Sequence, residues 1–171
     1  MSTNIAYLTC QHEFAALLLA YDGAGICALL FGDSEEELVA DLRQRFPKAE
    51  LHLDRQLLEQ DLQQVAQFLR QPKQQLQLPL RLHGTEFQRS VWQVLEQIPL
   101  GQTRSYSEIA QAIGRPKSMR AVARACASNP VALQVACHRV LRSDGGISGY
   151  RWGVERKRKL LAMEASCAAR S

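Results

Sequence analysis

The sequence predicts an α/β fold in two parts, with strands and helices in the first half and mostly helices in the second. Short apolar runs separated by Asp22 and Gly23 favour strands near the start. Apolar residues at intervals of three and four favour helices farther along. The stretch from Pro72 to Pro79 breaks that periodicity, as linkers do. We therefore expect one α/β domain over residues 1–80 and a second domain over residues 81–171.

In the first part, the apolar runs from Ile5 to Phe31 predict two or three strands joined by tight turns, forming a small antiparallel sheet. Ser34 and Glu37 have the spacing of a capping box and predict a helix that ends at the next proline. A second helix is predicted over residues 55–70, with apolar side chains on one face and glutamines on the other. The glutamines that continue to Gln77 are interpreted as a solvated linker.

In the second part, Thr85 and Gln88 form another capping-box pattern, and the apolar spacing after them predicts a helix that ends near Pro99. Residues 106–113, a glycine-containing turn and residues 118–127 follow the order of a helix-turn-helix. Two ordinary core helices would give the same pattern, so both interpretations stay open at this point.

Composition narrows the class of protein. The 171 residues are 46% hydrophobic and 22% charged, which suits a globular chain. Residues 1–84 carry 7 Lys/Arg and 11 Asp/Glu, whereas residues 85–171 carry 14 and 6. A basic second half favours a polyanionic partner, although surface solubility would also account for it.

The apolar runs, the first residues and the cysteines predict where in the cell the protein is located. The apolar runs are too short for a transmembrane helix, so no membrane partner is expected, and the first residues do not have the pattern of a secretion signal. Five scattered cysteines do not suggest a disulfide framework and suit a reducing compartment. We expect a cytoplasmic protein.

Cys137 and His138 are the candidate chemical centre, because a thiol needs a base to become a nucleophile. A basic helix is predicted over residues 153–163, and Glu164 just past its end is a candidate to orient the imidazole. A solvated C-terminal glutamate is the simpler interpretation on local pattern alone.

Six ordered motifs carry a resemblance that covers residues 85–164. They are Phe87-Gln88-x-x-Val91-Trp92, Ile98-Pro99-x-Gly101-x-Thr103-x-Ser105-Tyr106, Arg120-Ala121-Val122, Ser128-Asn129-Pro130, Cys137-His138-Arg139-Val140 and Ser148-Gly149-Tyr150-Arg151-Trp152-Gly153. Together they resemble the O6-alkylguanine-DNA alkyltransferases, most closely the methyltransferase domain of bacterial adaptive-response proteins.

The resemblance implies a ribonuclease H-like α/β domain with a small antiparallel sheet, followed by a mostly helical, winged-helix-like domain that binds DNA. It implies a suicidal DNA-repair methyltransferase that moves the alkyl group of O6-methylguanine, and less well of O4-methylthymine, onto its own cysteine. The partner would be double-stranded DNA containing O6-alkylguanine, bound through the minor groove by a monomer. No cofactor and no metal are expected.

The resemblance also assigns roles at the reacting centre. Cys137 would be the acceptor nucleophile, His138 a base that works through a water, and Glu164 the carboxylate that orients His138. Asn129 would brace the loop that carries the cysteine, and Tyr106 would donate to the departing guanine.

Further roles concern DNA and the base pocket. Arg120 would fill the stack after the target base is flipped out, and Ala121 would permit close approach. The other residues implied for DNA binding are Arg124, Ser105 and Tyr106, and those implied for the base pocket are Val140, Tyr150 and Arg151. One departure stands out, because the family has proline where this chain has Ala136.

Three alternatives remain at the level of sequence. An alkyltransferase-like protein would bind alkylguanine without repairing it, although those relatives have tryptophan in place of Cys137. A helix-turn-helix regulator would bind an undamaged operator. A Cys-His hydrolase would fit the residue types but would leave the basic half unexplained. A self-regulating role is not expected, because we find no N-terminal cysteine-rich sensor.

Overall fold

A computed structural model describes residues 3–169 of the chain. It falls into two compact units. The first contains the described residues up to Arg70 together with Gln77–His83 and Pro130–Ala132, and the second contains Gln71–Leu76, Gly84–Asn129 and the chain from Leu133 onward. The domain boundary expected near residue 80 stays a prediction. No helix within residues 3–169 combines the length and apolar character that crossing a membrane requires.

The first unit is built on a four-stranded sheet. Its strands are β1 (Asn4–Gln11), β2 (Ala16–Tyr21), β3 (Ile26–Gly32) and β4 (Glu50–Leu53), in the order β3-β2-β1-β4. The apolar runs, predicted to form two or three strands, form the three strands β1, β2 and β3, which pair in antiparallel fashion. The prediction of a purely antiparallel sheet is wrong, because β4 pairs with β1 in parallel. Parallel neighbours need a long crossover, and the helix between β3 and β4 supplies it.

Two helices accompany this sheet. Helix α1 (Glu35–Arg45) begins after Ser34, whose hydroxyl accepts from the backbone N–H of Glu37. The predicted capping box is only half formed, because the Glu37 carboxylate accepts from Asp33 N–H instead. Helix α2 (Arg55–Arg70) has the predicted bounds. Both helices bury leucines against this sheet, in which strands β2 and β3 are almost completely buried.

The second unit is mostly helical, as predicted. It contains α3 (Glu86–Glu96), α4 (Tyr106–Ala112), α5 (Met119–Ala127) and α6 (Val154–Ala169), with a short parallel pair of strands, β5 (Arg104–Ser105) and β6 (Val140–Leu141). Thr85 and Gln88 form the predicted capping box at the start of α3. Helix α6 continues past its predicted end at residue 163, so Glu164 lies inside the helix. The small mixed sheet with accompanying helices confirms the two-part α/β prediction in its coarse form.

Candidate active site

Cys137 opens a single buried 3₁₀ turn, Cys137–Arg139, that follows a mostly buried apolar segment. Asn129 lies two residues past the last residue of α5 and is itself fully buried. Its side-chain N–H₂ donates to the Cys137 sulfur at 3.0 Å and to the carbonyl oxygen of Val135 at 2.7 Å. One amide therefore fixes both the sulfur and the backbone that leads to it.

A buried carboxylate joins the two residues that follow the cysteine. His138 Nε2 lies 2.8 Å from Oε2 of Glu164. The guanidinium of Arg139 donates to the same carboxylate twice, from Nε to Oε1 at 2.8 Å and from Nη2 to Oε2 at 2.9 Å. A two-point arginine–carboxylate contact fixes the plane of both groups, so the oxygen that meets His138 has a defined position.

The charges of this cluster follow from burial and pairing. Burial by itself would raise the pKa of Glu164, but His138 and Arg139 overcome that effect and lower it to about 2. Burial lowers the pKa of His138, and the nearby carboxylate of Glu164 only opposes this. Near pH 7 the carboxylate is therefore charged and the imidazole neutral, with its hydrogen on Nε2. The other ring nitrogen, Nδ1, is buried and has no hydrogen-bond partner among residues 3–169.

The cysteine thiol is protonated at neutral pH. Burial raises the pKa of Cys137 to about 11, and the hydrogen bond from Asn129 and the charge of Lys157 act in the opposite direction. Since the thiolate is the nucleophile, a thiol of this kind needs a base to take its proton. The unpartnered Nδ1 of His138 is a suitable acceptor by chemical type.

A cavity of about 360 Å³ lies beside the thiol. The residues that line it include Tyr106, Cys126, Cys137, Ser148, Tyr150 and Arg151. The Tyr106 hydroxyl lies 2.6 Å from that of Ser148, and burial raises the pKa of Tyr106. The hydroxyl of Tyr150 is buried without a hydrogen-bond partner in the described part of the chain. The cavity is thus lined by a cysteine and two tyrosines, whose rings suit a planar molecule.

Two other residues predicted for the pocket differ in position. Arg151 lines the cavity, donates to the carbonyl of Asn129 and lies over the ring of Trp152 at 4.9 Å. Val140 is fully buried where β6 begins, pairs with Arg104 of β5, and is not one of the cavity-lining residues between 3 and 169. Its predicted place at the pocket edge stays a prediction.

Helix α5 has one buried face and one basic face. Val122, Ala125 and Cys126 are buried, whereas Arg120 and Arg124 are exposed. A surface cavity of about 440 Å³ is lined by the residues of this exposed side, which are residues 116–121 and Arg124. Ala121 therefore lies among cations on an open surface, which is an arrangement that attracts polyanions.

Ser105 lies at the start of α4, next to Tyr106. Its hydroxyl accepts from the N–H of Glu108, and the Glu108 carboxylate accepts from the N–H of Ser105. Ser105 thus caps the helix that carries Tyr106. Its predicted contact with DNA stays a prediction.

Comparison with known proteins decides the family. Residues 86–166 match the family model of the 6-O-methylguanine DNA methyltransferase, DNA binding domain. An inducible methylated-DNA–protein-cysteine methyltransferase of Bacillus subtilis is 43% identical over 129 residues, which cover 75% of this chain and 72% of that protein. The chain belongs to the methylated-DNA–protein-cysteine methyltransferase family. The family resemblance stated from the motifs is confirmed.

Other members of the methyltransferase family match over almost the whole chain. The bifunctional transcriptional activator/DNA repair enzyme Ada of Escherichia coli is 46% identical over 161 residues, which cover 94% of this chain and 46% of Ada. This chain therefore spans about half the length of that relative. The crystal structure of Mycobacterium tuberculosis OGT in complex with DNA matches with a TM-score of 0.82 and 33% identity, and the match covers 95% of this chain and 94% of that chain.

Arg139 is a residue of this methyltransferase-family site that sequence reasoning missed. It is fully buried, and its Nη1 donates to the side chain of Gln75 at 2.8 Å and to the carbonyl of Ile98 at 2.7 Å. These bonds and the two to Glu164 satisfy the buried charge. The sequence signal that could have indicated a role for Arg139 was its position directly after the Cys137-His138 pair.

Lys157 was also missed, because the sequence predicted a basic helix over residues 153–163 but assigned no role to this lysine. The lysine is fully buried, its ammonium lies 5.9 Å from the ring centre of Tyr106, and burial lowers its pKa. It interacts electrostatically with the Cys137 thiolate. The spacing of Lys157, Leu160 and Glu164 by three and four residues places them on one face of α6, which could have indicated the burial.

The structure thus brings together most of the predicted reacting groups. Cys137 contacts Asn129, His138 contacts Glu164, and Tyr106 shares a cavity with Cys137. Arg120 and Arg124 lie on a separate, exposed face of the same unit.

Proposed function

We propose that this protein repairs DNA by a single, irreversible transfer of the alkyl group of O6-methylguanine to the sulfur of Cys137. The observation that carries the proposal is a buried thiol beside a cavity and next to a His138–Glu164 pair. The relatives named methylated-DNA–protein-cysteine methyltransferases support the same chemistry. O4-methylthymine would be a poorer substrate.

Activation of the thiol begins at Glu164. Its negative charge stabilises the imidazolium that forms when His138 accepts a proton. Because Nε2 faces the carboxylate, the proton arrives at Nδ1, and it comes from Cys137 through a water molecule. Asn129 holds the sulfur with an N–H donor that favours the thiolate.

The transfer itself is a substitution at the methyl carbon. The S–C bond forms as the bond from that carbon to O6 of guanine breaks, and the guanine left behind takes a proton. The Tyr106 hydroxyl lies at the cavity and supplies that proton or a hydrogen bond. The resulting thioether has no good leaving group, so each molecule acts once.

The base must leave the duplex to reach the cavity, because O6 of a stacked guanine cannot meet a buried thiol. Tyr150 and Arg151 line the flipped base, and main-chain groups near Val140 and Cys137 contact its edge. Flipping is favoured by the lesion, since a damaged pair is easier to open.

The DNA-binding surface is the exposed face of α5, in a winged-helix-like domain that follows a ribonuclease H-like one. The helix enters the minor groove, Arg120 fills the gap in the stack, and Ala121 allows close approach. Arg124 and Ser105 contact the backbone phosphates. A solved family structure described as a complex with DNA supports a DNA partner. The protein acts as a cytoplasmic monomer without a cofactor.

The experiment that tests this function is the intact mass and peptide map of the protein after incubation with a duplex carrying one O6-methylguanine. The protein should gain the mass of one methylene, on the peptide that contains Cys137. The variant Cys137→Ser should gain none and should still bind the duplex, whereas Cys167→Ser, at a half-exposed cysteine, should gain the same mass as the wild type.

Other outcomes would assign a different function. A bound lesion with no mass gain would make the protein an alkyltransferase-like damage reader. Tight binding to one undamaged sequence, with no preference for the lesion, would make it a helix-turn-helix regulator. A methyl group on a peptide that lacks Cys137 would overturn the assignment of the nucleophile.

A further inference from the structure

Gln75 differs from the glutamines around it. It belongs to Gln71–Leu76, a segment that clusters with the second unit, and the sequence suggested a solvated linker there. Gln71 and Gln74 are indeed exposed. Gln75, which precedes the buried Leu76 in the chain, is half-buried. An amide that is held inside a protein is normally held by hydrogen bonds.

Both ends of the Gln75 amide are bonded inside the second unit. Its oxygen accepts from Nη1 of Arg139 at 2.8 Å, and its N–H₂ donates to the carbonyl of Ile98 at 2.9 Å. Nη1 of Arg139 also donates to that carbonyl, at 2.7 Å. The three groups form a closed hydrogen-bonded triangle on the side of Arg139 that faces away from Glu164.

We infer that Gln75 is a positioning residue for the proposed alkyl transfer, acting through Arg139 on the Glu164–His138 pair. The inference rests on the proposed function of Cys137. Gln75 does not touch the reacting atoms. It sets the orientation of the group that holds the carboxylate.

The planarity of guanidinium carries this effect from one side of Arg139 to the other. Nη1 faces Gln75 and Ile98, while Nε and Nη2 face Glu164. Because all the nitrogens lie in one rigid plane, fixing Nη1 restricts the tilt of the edge that binds the carboxylate. A buried cation also has no water to replace a lost partner, so losing one acceptor loosens the whole group.

The position of the Glu164 carboxylate in turn affects its hydrogen bond to His138. Oε2 of Glu164 is shared by Nη2 of Arg139 and Nε2 of His138, at 2.9 and 2.8 Å. A tilt of the carboxylate therefore lengthens its bond to the imidazole. His138 would then hold a proton less well, and less of the Cys137 thiol would pass its proton to His138 at neutral pH.

The test compares Gln75→Met with Gln74→Met. Methionine keeps the length of glutamine but makes neither hydrogen bond, and Gln74 is the exposed neighbour. The first readout is the pH dependence of Cys137 alkylation by iodoacetamide, followed on its peptide. The second is the single-turnover rate of methyl transfer from a duplex carrying O6-methylguanine. Thermal unfolding is recorded for every variant.

For Gln75→Met we expect alkylation of Cys137 at pH 7 to slow about threefold, the equivalent of part of one hydrogen bond, while its rate at high pH stays unchanged. Methyl transfer at pH 7 should slow about three- to tenfold, a fraction of what general-base catalysis contributes. The methyl-transfer rates of mutant and wild type should converge at high pH, where the Cys137 thiolate forms without giving its proton to His138. Gln74→Met should match the wild type in both readouts.

A purely structural role would lower the unfolding temperature and leave the alkylation profile of Gln75→Met where it is, and that result would overturn the inference. The iodoacetamide profile does not depend on DNA repair. If wild type fails to transfer methyl groups while the profile still shifts, the proposed function is wrong and the link from Gln75 to the thiol stands.

A second variant covers the case in which Gln75→Met does not fold. Gln75→Asn keeps the amide but is one methylene too short to span Arg139 and Ile98 together. Its alkylation of Cys137 at pH 7 should also slow, by less than in a folded methionine variant, and Gln74→Asn should leave that rate unchanged. Equal alkylation rates at pH 7 in these two asparagine variants would contradict the inference.

Discussion

His138 Nε2 lies 2.8 Å from Oε2 of Glu164, and this contact determines which ring nitrogen can act as a base. With Nε2 bonded to a carboxylate that Arg139 also holds, the imidazole has one nitrogen left to accept a proton. That nitrogen, Nδ1, belongs to the residue adjacent to Cys137. Glu164 thus sets the orientation of the His138 ring through Nε2, and Nδ1 is the nitrogen left for the proton of Cys137.

Removing the charge of Glu164 should slow the transfer. Glu164→Gln keeps an oxygen for Arg139 but no longer stabilises protonated His138, so the rate at pH 7 should fall about 10- to 100-fold. Single-turnover kinetics with a methylated duplex measures this. Glu155→Gln is the matched control, because Glu155 is exposed on the same helix and pairs with Arg158. An unchanged rate in Glu164→Gln would show that this residue does not support the transfer of the Cys137 proton to His138.

The same carboxylate should make folding stability depend on acid. The folded pKa of Glu164 is about 2 against an ordinary value of 4.5, so its contribution is complete above pH 4.5 and is lost as the pH falls toward 2. The loss corresponds to about 3 kcal/mol for this buried group. The lowered pKa of His138 acts in the same direction, because protonation below its ordinary value of 6.5 disfavours the folded state.

Urea unfolding at a series of pH values between neutral and strongly acid conditions measures that loss. The free energy of unfolding of Glu164→Gln should fall less steeply below pH 4.5 than that of the wild type. Parallel curves for the two proteins would show that the carboxylate is not the group responsible.

Lys157 should lower the pKa of the acceptor thiol. Its buried ammonium favours the Cys137 thiolate, so Lys157→Met should raise the thiol pKa above its value of about 11. Transfer at pH 7 should slow roughly three- to tenfold, the effect of up to one pH unit in thiolate population. Rate–pH profiles test this, with the exposed Lys159→Met as control. Faster transfer after Lys157→Met would contradict the electrostatic role.

Arg120 should matter only when a base has to leave the duplex. Arg120→Ala should reduce repair of a methylated duplex about tenfold or more, since the gap in the stack is no longer filled. Reaction with free O6-benzylguanine, which needs no flipping, should be nearly unchanged. Arg158→Ala, at another exposed arginine of the second unit, should affect neither reaction. Equal losses with both substrates would assign Arg120 to the catalytic site instead.

Proline at position 136 should be tolerated. Ala136 has φ −83°, close to the value that the proline ring imposes, and it directly precedes the nucleophile. Ala136→Pro should therefore raise the free energy of unfolding by about 0.4–1 kcal/mol by restricting the unfolded chain. Thermal and urea unfolding measure the change. A less stable variant would mean that this loop needs the backbone freedom or the N–H of alanine.

Local patterns in the sequence determined much of the fold. The bounds of α2 were predicted, and the capping box of Thr85 and Gln88 starts α3 as expected, because both depend on residues within one or two turns. The end of α6 was predicted too early. The chain from Glu164 to Ala169 contains no glycine or proline, so nothing local stops the helix there.

Strand β4 shows the opposite case. Its four residues alternate weakly and have little buried surface, so the sequence did not predict a strand there. Its parallel pairing with β1 depends on residues more than forty positions away in the chain. Pairing partners at such separation leave no periodic signal within either segment.

By itself, the sequence determined the two-part α/β class, the helical second half and, through its ordered motifs, the family and the candidate reacting residues. Only the tertiary structure decided which charged and polar side chains are held inside. Some residue types that usually lie at the surface are held inside by partners from distant segments or by the packing of α6. These residues are Arg139, Lys157 and Gln75. A polar group is stable in the interior only where the folded chain supplies its hydrogen bonds or countercharge, and that supply is a property of three-dimensional contacts.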